Sequence, residues 1–280
     1  MGVDAGNQAS VDLVSNCFIS ECLSTMYKTA ITLGKREEAE EFAIRREKLN
    51  KLIHQTFYRA DEGIYSTGSQ LDMCYPMLVG VVPDSLYNKV KENVVAMTEE
   101  KYKGHIAVGL VGVPILTEWA VRNKQVDFFY QMMKKRDYPG YLYMIDHGAT
   151  ATWEYWSGER SRVHNCYNGI GTWFYQAVGG IRLDEANSGY RHFYVDPQIP
   201  NGVIWAKVTK ESPYGTIAVN WKLKDDNQLN LQLTVPAGTT ATVCIPNNAV
   251  SCKKNKKKVS VKEQTVDVEA GHYDFLFNLK

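Results

Sequence analysis

The sequence predicts a mainly helical region followed by a mainly β region, with the change near residue 180. Before that point, apolar residues recur at the spacing of amphipathic helices. After it, short runs of alternating apolar and polar residues are separated by turns rich in Gly, Pro and Asn, which is typical of an antiparallel β-sandwich. A chain of 280 residues is long enough for two unequal domains, which we expect at 1–180 and 181–280.

The first predicted helix has about 25 residues and ends at Gly34, a natural residue for a helix C-terminus. Its expected inner stripe is Val11, Val14, Phe18, Cys22, Met26 and Ala30. Further helices are predicted over Lys35–Phe57, from Asp84 through Met97, over Val108–Val121, over Gln125–Lys135, and from Tyr167 to Val178. Short turns between helices of similar length indicate antiparallel hairpins, and six or so such helices suit a helical toroid or part of one.

The predicted strands are short and evenly spaced along the rest of the chain. They are His192–Val195, Val203–Thr209, Gly215–Leu223, Leu229–Val235, Thr240–Ile245, Val259–Val261 and Tyr273–Leu279. The run Lys253–Lys258 resembles a basic patch, but we interpret it as a solvated hairpin turn.

Composition excludes several classes of protein. The net charge of +1, with acids and bases interspersed, gives no basic surface for nucleic acid, and no apolar run is long enough to cross a membrane. The first ten residues carry no signal peptide, so the compartment stays open. Six cysteines without CxxC spacing predict mostly free thiols, and the sequence predicts neither a metal nor a cofactor.

The long loops 62–70, 101–107 and 138–161 are rich in Gly, Tyr, Trp and His, as functional loops on one rim of a scaffold often are. Within residues 141–173, three tryptophans and two histidines surround Glu154: Trp153, Trp156, Trp173, His147 and His164. Aromatic faces can stack on a sugar ring, and a carboxylate can move protons, so this stretch suits a sugar-cleaving site. The alternative is a buried aromatic cluster in which Glu154 has a structural hydrogen bond.

Glycoside hydrolysis ordinarily uses two carboxyl groups, about 5 Å or about 6.5–9.5 Å apart according to the mechanism. Asp146 can form such a pair with Glu154 from the other side of the loop, or it can serve only a turn before Gly148. His164 and His105 are further candidates for ligand contact, and each is alternatively a structural histidine.

The segments YLYMIDHGATATWEYWSG (141–158) and SRVHNCYNGIGTWFYQAVGGI (161–181) resemble the bacterial α-L-rhamnosidases of glycoside hydrolase family 78. Residues 69–83 and 104–116 look similar to that family too, so the resemblance covers nearly the whole chain. It implies part of an (α/α)6-barrel catalytic domain followed by a C-terminal β-sandwich. By position, Glu154 matches the general base of a single inverting displacement, and His164 matches a histidine that contacts the rhamnose.

The resemblance also places Trp153 and Trp156 as wall residues of the sugar site. Two departures concern the shape of that site: the second Thr of the GATT pattern is Ala151, and the NHY-like motif reads His164–Cys166. The family's general acid lies in an upstream Arg/Asp-rich loop that has no counterpart here. We therefore expect a truncated chain whose toroid has an open apolar edge.

Three hypotheses follow from the sequence. The first is an inverting α-L-rhamnosidase that acts on a rhamnose-containing glycoside and is inactive without its upstream half. The second is a non-catalytic carbohydrate-binding or degenerate fragment. The third is a structural module that assembles through its open edge, either with a missing N-terminal half or with itself.

Overall fold

The computed structural model describes residues 6–224 and 227–280, which divide into two compact units. The first unit comprises residues 6–123 and 128–170 and is helical. The second comprises residues 124–127 together with the described residues from 171 to 280, and most of it is β-sheet. The predicted order, a partial toroid of helix hairpins followed by a β-sandwich, is confirmed.

The helices are α1 (Gln8–Thr32), α2 (Arg36–Phe57), α3 (Gln70–Leu78), α4 (Asp84–Tyr102), α5 (Gly112–Arg122), α6 (Val126–Met133) and α7 (Tyr141–Asp146). A 3-10 turn, Asn165–Ile170, precedes a short α-turn, α8 (Gly171–Trp173), and a π-helical segment, Phe174–Val178. A small hairpin of β1 (Tyr58–Arg59) and β2 (Ile64–Tyr65) connects α2 with α3. The structure therefore resolves the predicted helix of 167–178 into three kinds of helical turn.

Helices α1 and α2 form an antiparallel hairpin, but the predicted inner stripe of α1 is mostly wrong, because Ala30 alone of its six residues is buried. Phe18 and Met26 are 60% and 47% exposed, whereas Leu13, Cys17 and Ser20 are buried. The inner face of α1 carries polar contacts: the Ser20 hydroxyl donates a hydrogen bond of 2.6 Å to Asn50 of α2. The apolar stripe that the spacing marks is thus largely the outer face of the helix.

Helix α3, which the sequence did not predict, is the most buried helix of the first unit. Residues 70–77 are all buried, so their side chains show no amphipathic period, and Pro76 lies inside the helix. Its Asp72 carboxylate accepts hydrogen bonds from the hydroxyls of Ser10 and Thr67, at 2.5 and 2.8 Å. This buried carboxylate therefore ties α1 to the turn before α3.

The second unit contains two sheets among its described residues. The six-stranded sheet has the order β10 (Lys257–Val259), β9 (Ala249–Lys254), β12 (Gly271–Leu279), β7 (Gln228–Val235), β6 (Gly215–Lys224) and β5 (Trp205–Ser212). The four-stranded sheet has the order β11 (Thr265–Val268), β8 (Thr240–Cys244), β4 (His192–Val195) and β3 (Ile181–Leu183). All strand pairs are antiparallel except β4 with β8.

The sequence missed β3, β9 and β11, three strands of three to six residues. The lysine run lies mainly in the β9–β10 hairpin strands, with Asn255 and Lys256 at its turn. All six cysteines are free thiols, and Cys22 is exposed. Within the described part of the chain, no helix has the length and apolar character needed to span a bilayer.

Candidate functional site

An aromatic cavity of about 690 Å³ opens in the helical unit beside the loop that carries Glu154. Residues 101–108, which include the end of α4 and the segment after it, form one of its walls, and residues 137–139, which precede α7, form a second. Tyr155, Trp156 and Tyr167 form the third. This volume lies within the range of about 300–1,000 Å³ that is typical of small-molecule sites.

Trp156 is the central aromatic side chain of the third wall. Its ring stacks on Tyr167 with 3.8 Å between centroids and meets Tyr141 edge-on at 5.1 Å. Its indole N–H donates a hydrogen bond to the Val108 carbonyl at 3.3 Å. Because the ring is fixed on three sides, Trp156 is a rigid wall residue that remains 9% exposed.

Trp153 lies inside the loop rather than on the cavity wall, and it is 2% exposed. The Arg162 guanidinium lies 5.2 Å from its ring centroid, and the loop backbone passes over the ring at Gly158. A Cβ at Gly158 would lie 2.8 Å from the indole, and the positive φ of 79° also favours glycine there. Trp153 thus supports the loop from within.

The Glu154 carboxylate is held at both oxygens within the same loop. Oε2 accepts a hydrogen bond from the Ser161 N–H at 3.3 Å, and Oε1 lies 3.6 Å from Nη1 of Arg160. The Glu154 N–H in turn donates to the Ser161 carbonyl at 2.9 Å. The side chain is 27% exposed, and it is not among the cavity-lining residues.

His164 is held by backbone contacts next to this loop. Its Nδ1 accepts a hydrogen bond from the Cys166 N–H at 3.0 Å, and its own N–H donates to the Thr152 carbonyl at 2.8 Å. Because Nδ1 is used as an acceptor, Nε2 is the nitrogen that remains for a ligand.

Asp146 lies at the end of α7 and forms an ion pair with Arg136, with Nη1 at 2.5 and 2.7 Å from the two carboxylate oxygens. No described contact joins it to Glu154. His105 is buried in the cavity wall; its Nδ1 donates to the Pro139 carbonyl at 2.7 Å, and its Nε2 lies 3.2 Å from Oδ2 of Asp137.

The sequence reasoning missed Gln70, which fixes the wall that carries His105. The buried Gln70 amide donates to the His105 carbonyl at 2.9 Å and accepts from the Ala107 N–H at 2.8 Å. It also missed Asp137, Tyr102 and Tyr138 on the cavity wall. The sequence signal for these residues is that aromatic and acidic side chains are frequent in the two Gly-containing loops that carry them.

No group of three or more His, Cys, Asp or Glu side chains within the described residues is arranged to hold a metal ion. The chemistry that these side chains offer is aromatic stacking, hydrogen bonding to hydroxyls, and proton transfer by a carboxylate.

Two family models match the chain. Residues 2–178 match the bacterial alpha-L-rhamnosidase six-hairpin glycosidase domain, and residues 180–260 match the bacterial alpha-L-rhamnosidase C-terminal domain. Among curated proteins, the chain is 28% identical to an alpha-L-rhamnosidase of Formosa agariphila, over 95% of this chain and 31% of that protein. It is 25% identical to an alpha-L-rhamnosidase of Alteromonas sp. (strain LOR), over 94% of this chain and 30% of that protein.

Solved structures show the same fold. An alpha-L-rhamnosidase from Dictyoglumus thermophilum superposes with a TM-score of 0.85 at 20% identity, over 94% of this chain and 31% of that one. A Streptomyces avermitilis alpha-L-rhamnosidase complexed with L-rhamnose gives a TM-score of 0.85 at 23% identity, over 95% and 26%. The chain therefore spans about a third of the length of the curated relatives that it matches.

Proposed function

The chain belongs to the family of bacterial alpha-L-rhamnosidase six-hairpin glycosidase domains, and from this membership we propose that it hydrolyses terminal α-L-rhamnosides with inversion. The observation that carries the proposal is the loop of Trp153 to Trp156, in which a carboxylate is held beside an aromatic cavity. The ligand is a rhamnose-containing glycoside. The two family models meet between residues 178 and 180, which supports a domain boundary near residue 180.

In the proposed reaction, Glu154 accepts a proton from a water molecule as that water attacks the anomeric carbon. The bond to the leaving oxygen breaks as the new C–O bond forms on the opposite face, so the product has inverted configuration. The contacts to Arg160 and Ser161 orient the carboxylate. His164, Trp156 and His105 contact the sugar, and Trp153 supports the loop. Asp146, which is paired with Arg136, is a further proposed substrate contact.

The leaving oxygen needs a proton from a general acid, which typically contributes about 10²–10⁴-fold to the rate. In the family that the sequence resembles, an upstream Asp-containing loop supplies that acid. We assign the role to no residue of this chain. Turnover by the chain alone is accordingly expected to be low or undetectable, whereas rhamnose binding is expected to remain.

The test measures release of para-nitrophenol from its α-L-rhamnoside, with the anomer of the first product read by proton NMR. Glu154→Gln keeps the size of the side chain and removes the base, and Glu159→Gln is the matched control on an exposed carboxylate of the same loop. Inverting turnover that only Glu154→Gln abolishes supports the hydrolase. Retention of configuration, or turnover unaffected by Glu154→Gln, would contradict it.

A second candidate is a carbohydrate-binding or degenerate fragment that assembles with a partner. It is favoured by the apolar side chains exposed on α1 and α2: Val11, Phe18, Ile19, Met26, Tyr27, Ile31, Ile44 and Leu52. A patch of this kind is typical of an interaction surface, here an open toroid edge covered by companion helices or by a second copy.

Calorimetry with L-rhamnose and sedimentation of the purified chain distinguish these readings. Rhamnose binding without turnover, even after the N-terminal half of a six-hairpin glycosidase domain is supplied, supports the binding fragment. Self-association that Phe18→Glu abolishes, without sugar binding, supports a structural module.

A further inference from the structure

The aromatic cavity contains a histidine–aspartate pair, of which the proposed reaction uses only the histidine, as a sugar contact. Asp137 and His105 face each other across 3.2 Å on the wall formed by residues 101–108 and 137–139. The imidazole is buried, whereas the Asp137 side chain is 73% exposed. A buried ring thus contacts a largely exposed carboxylate in the lining of the cavity.

The imidazole is itself fixed on its other side. Its Nδ1 donates to the Pro139 carbonyl at 2.7 Å, and the backbone carbonyl of His105 is held by Gln70 at 2.9 Å. His105 contacts one oxygen of the carboxylate, so the remaining lone pairs of Asp137 face solvent and can accept further hydrogen bonds. The backbone N–H of Asp137, and then the charge of His105, lower the pKa of this carboxyl.

Aromatic side chains line the cavity around this pair, together with Lys101 and Lys103. Tyr102, Tyr138, Tyr155 and Trp156 line the same cavity, and Trp156 is held rigidly against Tyr167. An ionised carboxylate beside aromatic faces binds a ligand that has an apolar face and adjacent hydroxyl groups. A pyranose ring has both.

We propose that Asp137, positioned by His105, is a specificity-determining residue that accepts hydrogen bonds from two adjacent hydroxyls of a sugar lying against the Trp156 wall. This inference rests on the proposed function, because the glycoside that Glu154 acts on supplies the sugar. Asp137 takes no part in the bond-breaking step. It selects which glycosides are bound.

The experiment uses the full chain labelled with nitrogen-15, and it follows the indole N–H signals of the tryptophans during titration. The Trp156 signal is identified by its loss in Trp156→Phe. The probes are L-rhamnose and analogues of it that lack one ring hydroxyl. Asp137→Asn keeps the size of the side chain and removes its charge, Asp137→Glu restores a carboxylate, and Asp61→Asn is the control on an exposed carboxylate outside the cavity.

L-Rhamnose is expected to shift the Trp156 signal in the wild type and in Asp61→Asn. In Asp137→Asn the dissociation constant should rise about 10- to 100-fold, because a hydrogen bond to a charged group is lost. Asp137→Asn should also lose the preference for L-rhamnose over at least one deoxy analogue. Asp137→Glu should recover part of the affinity and part of that preference. A purely structural role of Asp137 would not change that preference.

Two results would overturn the inference: a Trp156 signal that L-rhamnose leaves unmoved, or equal affinity in Asp137→Asn and Asp61→Asn. Hydrolysis that depends on Glu154, together with binding indifferent to Asp137, would reject this inference and leave the proposed function standing. Asp137-dependent binding without any Glu154-dependent hydrolysis would leave this inference standing and reject the proposed catalytic role of Glu154.

Discussion

Nη1 of Arg160 lies 3.6 Å from Oε1 of Glu154, and the same guanidinium lies 5.3 Å from the centroid of the Tyr155 ring. Arg160 therefore links the candidate base to an aromatic residue of the cavity wall. Its backbone has a positive φ of 57°, which the loop imposes on a residue other than glycine. One side chain thus contacts both the carboxylate and the cavity wall.

Replacing Arg160 with Ala is expected to lower rhamnoside turnover about tenfold or more, because a displaced base loses the geometry of attack. Arg160→Lys should lose less, since it keeps a positive charge. Steady-state rates provide the measurement, or L-rhamnose affinity where turnover is undetectable. Arg45→Ala, on an exposed ion pair of α2, is the control; equal rates and affinities for the two Ala variants would rule out an orienting role for Arg160.

Gln70→Leu is expected to destabilise the helical unit by about 2–4 kcal/mol, because it leaves the His105 carbonyl and the Ala107 N–H buried without their partner. Urea denaturation followed by the helical circular dichroism signal measures the loss. Gln55→Leu, at an exposed position of α2, should change the free energy of unfolding by less than about 0.5 kcal/mol. Similar losses in both variants would contradict the role of the Gln70 amide.

Gly180→Ala is expected to lower the free energy of unfolding of the second unit by about 3 kcal/mol or more. A Cβ there would lie 2.3 Å from the backbone nitrogen of Pro197, and the φ of 70° is unfavourable for alanine. Gly202→Ala separates the two effects, because its φ is 88° but nothing lies within 4 Å of the new Cβ. We expect that variant to lose only about 1–2 kcal/mol. Equal unfolding midpoints in urea would show that the close approach to Pro197 does not matter.

The stability of the helical unit is expected to fall as the pH drops below about 6.5. Burial lowers the pKa of His54, whose Nδ1 lies within hydrogen-bonding distance of the Tyr65 hydroxyl, at 2.7 Å. The unfolded chain therefore binds the proton first, so the stabilising contribution is present above the ordinary histidine pKa and is lost as the pH falls through the lowered value. Thermal unfolding between about pH 5 and pH 8 measures this slope.

His54→Gln provides the control, because its amide oxygen can accept the Tyr65 hydrogen bond without titrating. The variant should show a shallower loss of melting temperature over the same interval. An unchanged slope would assign the pH dependence to other groups.

The sequence predicted the order of the two regions and the long helices because those features repeat along the chain. It failed on the inner face of α1, where hydrogen bonds from Ser10 and Ser20 to partners far along the chain outweigh apolar spacing. It failed on α3 for a related reason: a helix that is buried all round has no period to detect.

Some residues of the candidate site could likewise be proposed from the sequence, and others could not. Glu154, Trp153 and Trp156 stand in one short motif, so the sequence alone is enough to propose them as candidates. Asp137 and Gln70 become meaningful only through contacts that span more than thirty residues, to His105 and Ala107. No spacing rule connects such positions, and only the folded chain brings them together.

Strand β12 lies in the middle of the six-stranded sheet, between β7 and β9, although it comes last in the chain. During synthesis on the ribosome, the β5–β6–β7 meander and the β9–β10 hairpin emerge earlier as two separate pieces. Each of these pieces has an edge that stays unpaired until Gly271–Leu279 inserts between them, and an unpaired edge is a site for pairing with other chains. Insertion of β12 therefore removes two exposed strand edges in one step.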